Sequence, residues 1–256
     1  MSKEQDSTYQ DKEMNLLDHL DELRNRLIWT AVVFLVFLVL GFVFVTDIYN
    51  FFIRNLEFQL TVIGPGEIIW TYFMLASVVA LAGTLPFLLL QVWLYVRPAL
   101  TKKERKATLN YIPAVFLLFL GGLSFGFFVV HDLILNFLMS LGDEMFQTMF
   151  TAEKYFRFLL GVTLPIAILF EIPIVMMFLT SLGIVDPFKL RKFRKYAYLI
   201  LVIVGATISP PDFFLQIVIA IPLFILYEVS ILLSSRVYKR KKAKEKEWEE
   251  EMNKPS

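Results

Sequence analysis

The stretch YFRFLLGVTLPIAILFEIPIVMMFLTSL, residues 155–182, decides the fold. At 1.5 Å per residue a helix over it is about 42 Å long, more than the roughly 30 Å of a bilayer's hydrocarbon core. Working outward, residues 27–45, 68–96, 109–130 and 213–233 form runs that are also long enough, or nearly so, to cross. A sixth run, residues 196–208, is too short to cross without local thinning, snorkelling flanks or shelter from neighbours. Of the 256 residues, 57% are hydrophobic, 19% are charged and 26 are Phe. No ordinary soluble domain carries such a surplus, which therefore has to face lipid. The expectation is an all-α integral membrane protein with six transmembrane helices, the last two of them short.

Basic residues orient the bundle. The N-terminal segment holds 4, the second and fourth connections 5 each and the C-terminal tail 8, whereas the first connection has only Arg54, the third only Lys154 and Arg157, and the fifth none. The positive-inside rule makes the crowded side, with 22 of the 25, cytoplasmic, so both termini are expected there. Removing the short fifth span would put the fourth connection and the tail on opposite sides. Aromatic residues agree: Trp29, Trp93, Tyr95, Tyr111, Tyr196 and Tyr238 fall at the inner interface, and Tyr49, Trp70, Tyr72 and Tyr155 at the outer one.

One membrane domain is expected over residues 1–236, followed by a charged cytoplasmic tail over 237–256. Residues 15–26 read as an amphipathic helix on the membrane surface, with Leu16, Leu17, Leu20, Leu23 and Leu27 on one stripe. The outer connections, about residues 46–67 and 131–154, are long enough to form a cap. Pro86, Pro113, Pro165, Pro173 and Pro222 lie within or near the ends of spans, where each removes a backbone hydrogen bond and favours a kink. Five of them together predict a bent, concave bundle. The polar first 26 residues show no cleavable signal peptide. Absent cysteines exclude thiolate chemistry, and two distant histidines, His19 and His131, argue against a zinc site. No triad or phosphate-binding glycine loop is visible, which argues against an enzyme.

Stranded acids carry the functional signal. Glu171 falls near mid-membrane, where a carboxylate costs about 2.5 to 3.5 kcal/mol, and Glu228 lies one or two turns from the inner end of the last span. Either is a functional group or a helix-to-helix hydrogen bond. At the inner face Glu104 stands among Lys102, Lys103, Arg105 and Lys106, and Glu22 is one turn from Arg26. These positions suit local charge balance. They also suit recognition of paired arginines, because guanidinium binds carboxylate in a planar fork. Ser209-Pro210-Pro211-Asp212 makes a tight turn before the last span, with Asp212 able to cap it.

In order and spacing, four segments resemble the TatC family, the signal-peptide receptor of the twin-arginine translocase. They are His19-Leu20-Asp21-Glu22-Leu23-Arg24-Asn25-Arg26-Leu27; Gln91-Val92-Trp93 with Pro98-Ala99-Leu100 and Glu104-Arg105; Phe170-Glu171-Ile172-Pro173; and Ser209-Pro210-Pro211-Asp212. The match covers about residues 16–236. It implies a bacterial cytoplasmic membrane protein that binds twin-arginine signal peptides of folded precursors and recruits TatA-type subunits, with TatB-type ones where they exist, for export driven by proton-motive force. It also implies contact with further copies of itself and with lipid, and no cofactor or catalytic residue. By motif position, Glu104, with Arg105 beside it, and Glu22 are similar to the signal-peptide contacts. Glu171 is similar to the intramembrane polar residue where signal peptide and partner helices engage. Asn55 departs from the proline often found there in the family. The alternative is a proton-coupled small-solute transporter with Glu171 and Glu228 as relay groups.

Overall fold

The computed structural model describes residues 16–54, 56, 58–96, 111–142, 149–208 and 212–252. Its named elements are all helices: α1 Leu16–Val43, α2 Val45–Ile53, α3 Pro65–Val96 and α4 Tyr111–Phe125, which runs through a π-helical turn, Gly126–His131, into α5 Asp132–Gly142. After these come α6 Ala152–Leu169, α7 Ile172–Ser181, α8 Pro187–Lys192, α9 Arg194–Ile208 and α10 Phe213–Met252. Five stretches among the described residues are long and apolar enough to cross a membrane: Leu20–Val43, Pro65–Val96, Ile112–Leu141, Ala152–Ser181 and Phe213–Ala243. They match the five long runs of the sequence. The sixth run is helix α9, whose 15 residues extend only about 22 Å.

The amphipathic segment does not form a separate surface helix. It is the first part of α1, uninterrupted from Leu16 to Val43. Neither Gly nor Pro occurs between Leu16 and Leu40, so nothing breaks the hydrogen-bond ladder where polarity changes. Leu20 and Leu27 of the expected stripe are uncovered by protein. The expected loop after His131 begins instead as helix α5, because Ile134 and Leu135 find buried places one turn beyond the π-helical residues. The two connections expected to form a cap meet: Thr61 N–H donates to the Phe150 carbonyl and Ala152 N–H to the Thr61 carbonyl, each at 2.9 Å. Phe58 lies against Phe150 with ring centroids 4.8 Å apart. Pro86, Pro165 and Pro222 are absorbed inside continuous helices, whereas Pro173 stands at the start of α7, just past a break.

Helix α6 is the centre of the packing. Val162 and Ile166 join one core with Val130, Leu201, Ile219, Leu223 and Ile231. Phe156, Leu159 and Leu160 join a second with Val45, Leu75, Val78 and Tyr155. Tyr155 and Trp93, expected at interfaces, are buried in the packing, since an aromatic ring between helices covers more area than one at the headgroups.

Small residues set the closest approaches. A Cβ on Gly122 would lie 2.6 Å from the Ala167 Cα, and one on Gly126 would lie 2.9 Å from the Thr163 Cα, so Gly122 and Gly126 seat α4 and the π-helical turn after it directly on the α6 backbone. Gly41 makes the same approach between α1 and α3, with its Cβ position 2.6 Å from the Ala76 carbonyl oxygen. Without a hydrophobic drive between helices in lipid, such contacts maximise dispersion. Gly122→Val and Gly126→Val should each destabilise the purified protein by about 1–3 kcal/mol in thermal denaturation in detergent. Gly121→Val, at a position with no atom within 4 Å, should leave the midpoint nearly unchanged.

Candidate functional site

Helices α1 and α3 run antiparallel: Gly41 meets Ala76, Phe37 meets Gly83, and Arg26 reaches Gln91. Glu22 therefore sits at the end of the pair where α3 finishes at Val96 and the connection over residues 97–110 begins. Arg26 Nε donates to Glu22 Oε1 at 3.0 Å, Nη2 donates to the same oxygen, and Nη1 donates to Gln91 Oε1 at 3.1 Å. One guanidinium thus ties the carboxylate of its own helix to the neighbouring helix. The pair expected one turn apart is present, and Gln91 of the Gln91-Val92-Trp93 motif completes it. Glu104 and Arg105 lie in the 97–110 connection, outside the described residues.

Glu171 marks a break in the fourth span. Pro173 has no N–H to give the Leu169 carbonyl, and proline disfavours helical geometry in the residue before it. The chain crosses the gap with tighter bonds, Glu171 N–H to the Ile168 carbonyl at 3.1 Å, and α7 restarts as the Glu171 carbonyl accepts from Ile174 and Val175. Only 8% of Glu171 is exposed, and neither carboxyl oxygen has a hydrogen-bond partner among the described residues.

The other acids are committed. Glu228 accepts from Arg194 Nη2 at 2.7 Å and from the Tyr198 hydroxyl at 2.5 Å, joining α9 to α10. Next to it, Tyr227 donates to the Leu190 carbonyl at 2.9 Å and fastens α8 to α10. Glu228 is thus the anchor of the short helix rather than a lone intramembrane acid. Asp212 accepts the Leu215 N–H at 2.9 Å and caps α10 where the helix dipole is positive. Pro210 and Pro211 lie outside the described residues.

Two polar features escape a sequence reading. His131, 1% exposed in the π-helical turn, holds Asp132 through Nδ1 at 3.0 Å and lies against Phe127, Tyr155 and Phe158. Thr180 and Ser234 share a 2.5 Å hydroxyl bond between α7 and α10. A histidine at the end of an apolar run is a weak signal, and no pattern announces a π-helical turn. Among the described residues no group of His, Asp and Glu could hold a metal ion.

Across this set Glu171 alone offers a buried carboxyl with both oxygens unpaired, an arrangement that costs about 1–3 kcal/mol. Glu171→Met, of similar length and fully apolar, should therefore raise the thermal midpoint in detergent. A lowered midpoint would show that the acid supports the fold instead.

Comparison with known proteins agrees with this architecture. The family described as Sec-independent protein translocase protein (TatC) matches residues 18–222. The chain is 50% identical over 234 residues to Sec-independent protein translocase protein TatCd of Bacillus subtilis (strain 168), covering 91% of this chain and 97% of that one. It is 33% identical to the TatC protein of Aquifex aeolicus (strain VF5), covering 90% and 98%. A crystal structure of twin-arginine translocase receptor TatC in DDM superposes with a TM-score of 0.72 at 34% identity, covering 84% of this chain and 99% of that chain.

Proposed function

The chain belongs to the TatC family of Sec-independent protein translocase components, and on that premise we propose that it is the receptor subunit of a twin-arginine translocase. It binds twin-arginine signal peptides of folded precursors at its cytoplasmic face. It then recruits TatA-type single-span subunits, and TatB-type ones where present, for export driven by proton-motive force. Its setting is the bacterial cytoplasmic membrane, with both termini in the cytoplasm and α9 as a short fifth span of six. The asymmetry of 22 basic residues against 3 supports that orientation.

One observation carries the recognition reading. The bond from Arg26 to Gln91 holds Glu22 at the end of α3 from which the connection bearing Glu104 and Arg105 leaves. A carboxylate from α1 and another from the connection that follows α3 in the chain suit two neighbouring guanidiniums. Glu22 already receives the Arg26 guanidinium, so a peptide arginine has to exchange with a resident one there. Glu171 takes the second role: a desolvated carboxyl beside a helix break, ready to hydrogen-bond a polar group on a helix arriving through the membrane. The transporter alternative needs Glu228 as a mobile relay, and its bonds to Arg194 and Tyr198 weigh against that.

Photocrosslinking a signal peptide to a reactive residue beside Glu104 tests the receptor reading. Glu104→Ala should cut the crosslink about tenfold or more, as loss of a charge-assisted bond of about 1.5–3 kcal/mol implies. Replacing the peptide's arginine pair with lysines should do the same, because lysine cannot form the fork. Crosslinking that survives both changes would overturn the assignment.

A further inference from the structure

A cleft of about 140 Å³ opens between α8 and the inner part of α10, away from the Glu22 and Glu171 sites. Pro187, Phe188, Arg191, Ser235, Tyr238 and Lys239 line it. At about 30 Å³ per water-sized group it has room for four or five of them. Its construction is rigid. Asp186 caps α8 by accepting the Phe188 N–H at 2.9 Å, Tyr227 ties the Leu190 carbonyl to α10, and Phe188 meets the Tyr238 ring edge-on at 6.0 Å. Arg191 Nη2 donates to Ser235 Oγ at 3.3 Å, across the gap between the helices. Lys242 stands over the Tyr238 ring at 5.2 Å and adds a third cation nearby.

Chemistry and position agree on one class of occupant. The cleft lies near the inner end of the membrane-length stretch Phe213–Ala243, where α10 passes from its apolar run, residues 213–233, into its basic run. Around it Ile184, Phe188, Phe193 and Tyr196 are exposed apolar or aromatic side chains, Phe188 by 64%. Such residues belong at a membrane interface. The stretches 187–195 and 229–244 contain no Asp or Glu, so over these lengths of α8 and α10 the cations at the mouth have only basic and uncharged neighbours in the chain. Rings and aliphatic stems form the walls and guanidinium and ammonium groups the rim. That is the complement of an amphiphile with an anionic head.

We propose that this cleft binds the headgroup of an anionic phospholipid, with Arg191 and Lys239 on the phosphate and Phe188 and Tyr238 against the glycerol and first methylenes. The guanidinium supplies paired donors to phosphate oxygens, and the ammonium supplies a point charge. A bound lipid here would bridge α8 and α10 and so brace the short α9 between them. The proposal rests on the membrane setting of α10 and not on the receptor reading.

Native mass spectrometry of the full chain, titrated in detergent with phosphatidylglycerol or phosphatidylcholine, tests it. The wild-type chain should retain phosphatidylglycerol in preference. R191Q/K239Q should weaken that binding about thirtyfold, from about 1 kcal/mol per cation removed. R191K/K239R should keep most of it, and S235A, which removes the Arg191 bond without touching charge, should keep nearly all. If R191Q/K239Q fails to fold, K239Q alone, at an exposed position, should still weaken binding about fivefold. Equal retention of the two lipids, or unchanged affinity in the charge-removing variants, would overturn the proposal. Displacement of the lipid by equimolar inorganic phosphate would overturn it too, by marking a site for a free anion.

Discussion

Helices in hydrocarbon gain little from excluding solvent, so this bundle depends on how closely its backbones approach. The decisive contact is α4 on α6, where Gly122 and Gly126 face Ala167 and Thr163 with no room for a Cβ. That approach places α6 between two cores, one shared with α2 and α3 and the other with α9 and α10. Gly41 against Ala76 repeats the device on α1, whose outer side is largely bare of protein cover. A chain so arranged puts small residues at its closest backbone approaches and leaves large apolar side chains such as Leu35, Val39 and Ile203 bare of protein.

The same medium sorts the polar groups. Hydrocarbon penalises each unpaired donor or acceptor, so most intramembrane polar side chains are tied. Thr180 meets Ser234, Glu228 meets Arg194 and Tyr198, and Thr163 bonds back to the Leu159 carbonyl. Glu171 stands apart because it sits at a proline-forced break with both oxygens unpaired. With Glu228 satisfied within the fold, the unsatisfied Glu171 is the place where a partner's polar group gains most. At the bundle end the logic differs, since water and headgroups screen charge, and Glu22 can afford exchangeable pairing.

Much of this was legible in the residues. Hydropathy marked five long spans, each found within the helices, although α1 begins before its apolar run and α10 continues past its own into the basic tail. The pairing of Glu22 with Arg26 and the capping by Asp212 were also legible, because both are contacts between near neighbours in the chain. Glu171 stood out because an acid deep in an apolar run is conspicuous. Its isolation did not, since that depends on what the other helices fail to offer. Glu228 looked like its equal until Arg194 and Tyr198, more than 25 residues away in the chain, closed on it.

The sequence by itself determined that the chain is a helical membrane protein and which five segments are long and apolar enough to cross, because lipid reads residue by residue and needs no tertiary contact. Tertiary structure alone decided that His131 lies buried in a π-helical turn and which of the two intramembrane acids stays unpaired. Those outcomes follow from helix-to-helix register, fixed by glycine contacts between segments some 35 to 45 residues apart. No local pattern encodes that register.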